Sequence, residues 1–228
     1  MSKKSANIRV KRSDQEPIEA VRSRAKRVLS ILKREFPGAT TALLHHDPFQ
    51  LMIATILSAQ CTDERVNLVT PSLFKRYPTA RDFAKADPPE LENMIRSTGF
   101  FRAKTKSIIN CSKALLSKFD GAVPSTMEDL TLLPGVGRKT ANVVLGNAFG
   151  KAEGIVVDTH VARLSVRLGF SPESNPERIE MDLLKIIPRR DWIATGNLLI
   201  LHGRKTCKAR KPACPQCPVN ELCPSAML

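Results

Sequence analysis

Proline directly follows a capping residue at Asp47-Pro48, Thr70-Pro71, Asp87-Pro88 and Asn175-Pro176. Asp, Asn and Thr side chains accept a hydrogen bond from the first turn of a helix. Proline suits the next position, because the N–H it lacks would be unpaired there anyway. Each pair therefore predicts a helix start. Around them, apolar residues recur at helical spacing, as in Val21, Ala25, Val28, Leu29 and Leu32. The stretch Phe49 to Ala59 is apolar nearly all round, which predicts a centrally buried helix. Pro37-Gly38, Gly99, Gly121 and Gly169 stand where helices end. Further helices are expected from Arg102 to Phe119, Ser125 to Leu132, Thr159 to Leu168 and Trp192 to Leu201. No region sustains period-two alternation; Ile155-Val156-Val157 could form one short strand but has no partner. The reading is all-α, with roughly ten helices and short loops.

The 228 residues suffice for one large or two small domains, and composition marks no boundary between them. A formal net charge of +14 points to a polyanionic partner, nucleic acid before an anionic membrane surface. No apolar run is long enough to span a bilayer, and the basic N-terminus has no signal core, so a cytoplasmic protein is expected. Residues 1–16 carry Lys3, Lys4, Arg9, Lys11 and Arg12 and read as a disordered basic tail. A solubilising leader explains that tail as well as a DNA-binding arm does.

Leu133-Pro134-Gly135-Val136-Gly137-Arg138-Lys139-Thr140 lies between two helical patterns. Glycines provide the positive-φ positions of a tight hairpin. They also uncover N–H groups beside a helix N-terminus, where an anion is favoured. With Arg138 and Lys139 next in the chain, the natural anion is a DNA phosphate. A lone Pro-Gly-x-Gly is more often an ordinary turn. The sharper pattern adds Asp158, nineteen residues after Lys139, in Val157-Asp158-Thr159-His160. An acid just before a helix is most often its cap, yet a capping carboxylate keeps a second oxygen free.

Four of the six cysteines, Cys207, Cys214, Cys217 and Cys223, crowd into 17 residues. Cys61 and Cys111 stand alone in apolar patterns and read as buried free thiols. Four thiolates so close suit zinc or an iron–sulfur cluster, and spacing alone leaves the two near even. Lys208, Arg210 and Lys211 lie between the first two, where a folded loop would offer them to phosphates.

LPGVGRKTANVVL followed by VDTHVARL resembles the endonuclease III family of DNA glycosylase/lyases. The resemblance extends to Leu57-Ser58-Ala59-Gln60 with Thr62-Asp63, and to the x6, x2, x5 spacing of the four cysteines. It implies two helical lobes flanking a cleft. One lobe is a bundle over 42–151 containing the helix-hairpin-helix at about 126–149. The other joins 17–41 to 152–228 and carries the cluster loop at 207–223. It implies a [4Fe-4S] cluster on Cys207, Cys214, Cys217 and Cys223, and a monomer acting on double-stranded DNA with damaged bases or abasic sites. Lys139 would attack C1′ as a free amine, expel the base and form a Schiff base, and β-elimination would cut the strand. Asp158 would stabilise positive charge on the sugar and move protons. Gln60 would fill the hole left by an extruded base. Phe100 would be a wedge, although the family tends to have a smaller apolar residue there, and a buried loop anchor explains Phe100 equally well. Asp63, Gly135, Val136, Gly137, Arg138, His160, Lys208 and Lys211 complete the expected DNA contacts.

The favoured function is removal of oxidised pyrimidines with abasic-strand cleavage. Two rivals remain at this stage: a monofunctional uracil/thymine mismatch glycosylase of the same fold, and a non-catalytic structure-specific DNA-binding module.

Overall fold

The computed structural model describes residues 16–227. The basic tail expected over 1–16 thus lies outside the described residues, apart from Glu16. Eleven α-helices follow in order: α1 (Ile18–Glu35), α2 (Pro48–Leu57), α3 (Asp63–Arg76), α4 (Ala80–Ala84), α5 (Pro88–Ile95), α6 (Phe101–Phe119), α7 (Met127–Thr131), α8 (Arg138–Phe149), α9 (Thr159–Arg167), α10 (Pro176–Ile186) and α11 (Trp192–Lys205). No strand occurs among the described residues. Ile155–Val157 runs extended and unpaired.

Three of the four cap-proline pairs start helices. Asp47, Asp87 and Asn175 accept from Gln50 N, Glu90 N and Arg178 N. Thr70-Pro71 does not: α3 begins at the Thr62 cap and runs through Pro71. A proline inside a helix costs about 3 kcal/mol. Burial of Val66, Val69, Thr70 and Leu73 along the same helix offsets it. The short α4 has no periodic signal in the sequence; Thr79 and Asp82 build it with a reciprocal capping box. The last helix runs four residues beyond its expected end, to Lys205.

Buried apolar side chains fall into two clusters. The first draws only on residues 43–145, with α2 at its centre: Leu51, Met52, Ile53, Ala54 and Leu57 are all fully buried. Each large one contributes roughly 1.5–3 kcal/mol by leaving water. The second joins the α1 stripe, Ala25, Val28, Leu29 and Leu32, to residues between Ile155 and Val219. The clusters meet where α8 lies against α10 and α11. Gly146 makes that approach possible, since a Cβ there would sit 3.3 Å from Ile193 Cγ1. Asn197 Nδ2 donates to Asn147 Oδ1 at 3.2 Å across the same seam.

Candidate functional site

The hairpin between α7 and α8 is assembled by packing beneath it. Leu133 and Val136 are buried, and Val136 N–H donates to Leu133 O at 3.0 Å. Val136 packs beneath the hairpin, and its N–H is paired within the turn. Gly135 has φ +81°, and a Cβ on it would stand 2.8 Å from Ser107 Cβ of α6. Both conformation and space demand glycine there. Gly137 departs from expectation, with φ −87° as the N-cap of α8. Nothing lies within 4 Å of where its Cβ would be, so its smallness leaves open room over a helix start that no side chain caps. First-turn N–H groups lack partners inside the helix, and the dipole there attracts an anion.

Lys139 is exposed in the first turn of α8. Asp158 caps α9, with Oδ1 accepting from His160 N and Val161 N at 2.8 Å each. Its Oδ2 has no hydrogen-bond partner among the described residues, so capping leaves one oxygen available. Lys139 and Asp158 line one cavity of about 420 Å³ with Asn142, Val157 and Glu180. Glu180 is a buried carboxylate on α10. Arg138 grips it through Nε at 3.2 Å and Nη2 at 3.1 Å, and Asn142 Nδ2 lies 3.3 Å away. This fork raises the Arg138 pKa and fixes the start of α8 against α10. Arg138, expected at a phosphate, lies in the seam on Glu180 with about half of its side chain exposed. Gly154 closes over the same cluster; a Cβ there would collide with Glu180 Oε1.

Gln60 and Phe100 are both exposed, on turns that follow α2 and α5. Both have left-handed backbones, φ +53° and +47°. Phe100 is 64% exposed, which removes the buried-anchor reading. Asp63 pairs with Arg204 of α11 at 2.7 Å. His160 is half-buried, with Nδ1 3.1 Å from Arg163 Nη2. Burial lowers its pKa against the opposing pull of the Asp158 carboxylate, and Arg163 and Arg204 add to the lowering. Lys208 and Lys211 are exposed.

None of the six cysteines is in a disulfide. Cys111 is fully buried, and burial pushes its thiol up to about 12. Cys61 is only half-buried, short of the burial expected for it. Cys207, Cys214, Cys217 and Cys223 line one cavity of about 570 Å³. Among the described residues, no three His, Cys, Asp or Glu side chains converge closely enough for a single ion. Four half-buried thiols lining one cavity suit a metal centre held by thiolates. The loop has little regular structure of its own, only the 3₁₀ turns Cys214–Gln216 and Asn220–Leu222. Arginines of α9 hold it. Arg163 donates to Gly203 O and Cys207 O, both at 3.0 Å. Arg167 donates to Cys207 Sγ at 3.3 Å, Lys208 O at 2.8 Å and Ala209 O at 3.0 Å. One helix thus carries Asp158 at its head and the cluster loop along one face.

Sequence reading missed Arg163, Arg167 and Glu180. The two arginines stand four apart, on one face of a helix. Glu180 interrupts the apolar stripe of Ile179, Leu183 and Ile186, and a charge on a buried stripe needs a partner.

Residues 53–189, more than half of the chain, match the HhH-GPD superfamily of base excision DNA repair proteins. Residues 207–223 match the iron–sulfur binding domain of endonuclease III. Endonuclease III of Synechocystis sp. is 55% identical over 205 residues, covering 90% of this chain and 94% of that protein. The chain belongs to the endonuclease III family. Endonuclease III of Escherichia coli is 41% identical over 203 residues, covering 88% of this chain and 96% of its own. A solved non-covalent endonuclease III–DNA complex superposes with a TM-score of 0.85 at 44% identity, covering 90% of this chain and 96% of that one. A trapped covalent endonuclease III–DNA intermediate matches equally well. This family member is accordingly a base excision repair enzyme, a DNA glycosylase and abasic-site lyase with a [4Fe-4S] cluster and DNA as its partner. Among the described residues, no helix is long and apolar enough to cross a membrane.

Proposed function

We propose that Lys139 is the nucleophile and Asp158 the positioned carboxylate of this enzyme, and that its substrates are oxidised pyrimidines in double-stranded DNA. The observation that carries the reading is the shared cavity, which an amine and a carboxylate with one free oxygen line from opposite cores. The Lys139 amine attacks C1′, and the base leaves with the electrons of the glycosidic bond and takes up a proton. The adduct loses an amine proton, the C1′–O4′ bond breaks to open the sugar ring with O4′ taking up a proton, and the resulting iminium acidifies C2′–H. Loss of that proton expels the 3′ phosphate, and water then releases the enzyme. Asp158 stabilises the positive charge on the sugar and accepts or returns protons.

Gly135 and Gly137 offer the hairpin to a phosphate, with Lys208 and Lys211 on the cluster loop as further backbone contacts. Cys207, Cys214, Cys217 and Cys223 would hold the cluster, which supplies the loop with the fixed shape its own backbone does not. Gln60 and Phe100, exposed on neighbouring turns, enter the duplex beside the extruded base. Asp63 and His160, each held by an arginine, border this surface. The division at about 42–151 follows the two apolar clusters. The net charge of +14 favours a monomer working at the nucleoid in the cytoplasm.

The test is borohydride trapping across thymine glycol, oxidised cytosine, uracil and abasic duplexes. The parent protein should give a covalent adduct with the oxidised and abasic substrates. Lys139→Gln should bind the same DNA and give none, because an amide cannot form an imine. An adduct with Lys139→Gln would place the nucleophile elsewhere.

A further inference from the structure

Lys104 is the only lysine or arginine buried among the described residues, 4% exposed. It sits in the first turn of α6. Its ammonium donates to Leu57 O and to Thr98 O, 2.7 Å each. No carboxylate pairs with it among the described residues. A buried ammonium without a counter-charge is costly, whereas a methionine would fill the same space without that cost. The two carbonyls explain the choice. Leu57 is the last residue of α2, and Thr98 is the last residue of the 3₁₀ turn Arg96–Thr98. Carbonyls at helix ends lack partners and carry the negative end of the dipole, so a cation suits both. Three residues beyond Leu57 comes Gln60, and two beyond Thr98 comes Phe100. Each is a left-handed residue with a side chain, a conformation worth roughly 1–2 kcal/mol of strain.

We propose that Lys104 is a positioning residue for base extrusion, tying the turn that carries Gln60 to the turn that carries Phe100 so that both side chains meet the duplex as one rigid wedge. This rests on the reading of Gln60 and Phe100 as the residues that enter DNA. Lys104 itself touches neither DNA nor the sugar. Its effect falls on the step in which a helix must be opened, and not on the chemistry that follows.

The experiment compares single-turnover excision of thymine glycol from duplex DNA with strand cleavage of a single-stranded abasic oligonucleotide, which has no stack to open. Lys104→Met should keep the helical circular dichroism and the single-strand rate. Its duplex rate should fall on the order of 10²-fold, the effect of a small misplacement. Lys104→Gln, able to satisfy one carbonyl, should fall between. Equal losses on both substrates would make Lys104 merely structural and overturn the proposal. So would failure of both variants to fold. Gln60→Ala and Phe100→Ala separate the two layers. If neither alters the duplex-to-single-strand ratio, the wedge reading and the proposal fall together. If they lower it and Lys104→Met does not, only the proposal falls.

Discussion

At Leu133–Lys139 the chain turns on its own packing. Leu133 and Val136 are buried, Gly135 is pressed against Ser107, and Arg138 is forked onto Glu180. At 207–223 the chain turns around the four cysteines that would hold the cluster. Two 3₁₀ turns, two arginines from α9, the buried Val219 and four thiols facing one cavity order it. Both segments belong to the surface that we propose meets DNA. One is fixed by atoms encoded within a hundred residues of chain, and the other by a cofactor acquired later. Damage to the first should therefore act through geometry, and damage to the second through occupancy.

Four outcomes would sharpen or break that contrast, beginning with the largest. Removing the cluster by chelation should expose amides of 206–226 and the last turn of α11 to hydrogen exchange, because cluster binding is folding free energy for a loop that places only Val219 fully in the core. Amides of α2 and α8 should stay protected; their joint loss would mean that the two regions fold as one unit. Asp158→Asn comes next. Asn caps about as well as Asp, so the melting temperature should barely move. Turnover should fall about 10²- to 10⁴-fold with the lost charge. A lower melting temperature with intact turnover of the folded fraction would make Asp158 a cap and nothing more.

The glycines provide a smaller and more pointed comparison. Gly135→Ala should cost at least about 1–2 kcal/mol in urea unfolding from its left-handed backbone, with the Ser107 collision added. Gly137→Ala should cost about 1 kcal/mol or less as a poorer cap, yet weaken DNA binding by crowding the open helix start. Equal stability costs would contradict the distinction drawn between them. The smallest effect concerns the cluster loop's cations. Lys208→Ala with Lys211→Ala should reduce the log–log salt slope of duplex binding by about 0.9 for each phosphate that is no longer neutralised. An unchanged slope would remove this loop from the DNA surface.

The sequence shows most helices because capping and periodicity are local. Asp47, Asp87, Asn175 and Asp158 declare helix starts within three residues of themselves. Thr70-Pro71 misleads for the opposite reason: burial of Val66 and Leu73 by distant helices outweighs a local cost. The site divides the same way. Gly135 and the spacing of the four cysteines are visible along the chain. The destination of Arg138 is not, since Glu180 lies 42 residues away on another helix. Lys104 looks like one more solvated lysine until α2 and the 3₁₀ turn bring Leu57 O and Thr98 O to it.

The second apolar cluster is built from two separated pieces of chain, and this has a consequence for biosynthesis. The first cluster is complete once residue 145 is free of the ribosome, and it can close on its own. The α1 stripe cannot. Its partners begin at Ile155, well over a hundred residues after Phe36. At a synthesis rate of about 5–20 residues per second, α1 waits roughly 6–24 s with Val28, Leu29 and Leu32 uncovered. From residue 145 until those partners emerge, the nascent chain is a closed bundle beside an open amphipathic helix, the kind of surface that chaperones recognise and that neighbouring chains on a polysome can mispair with.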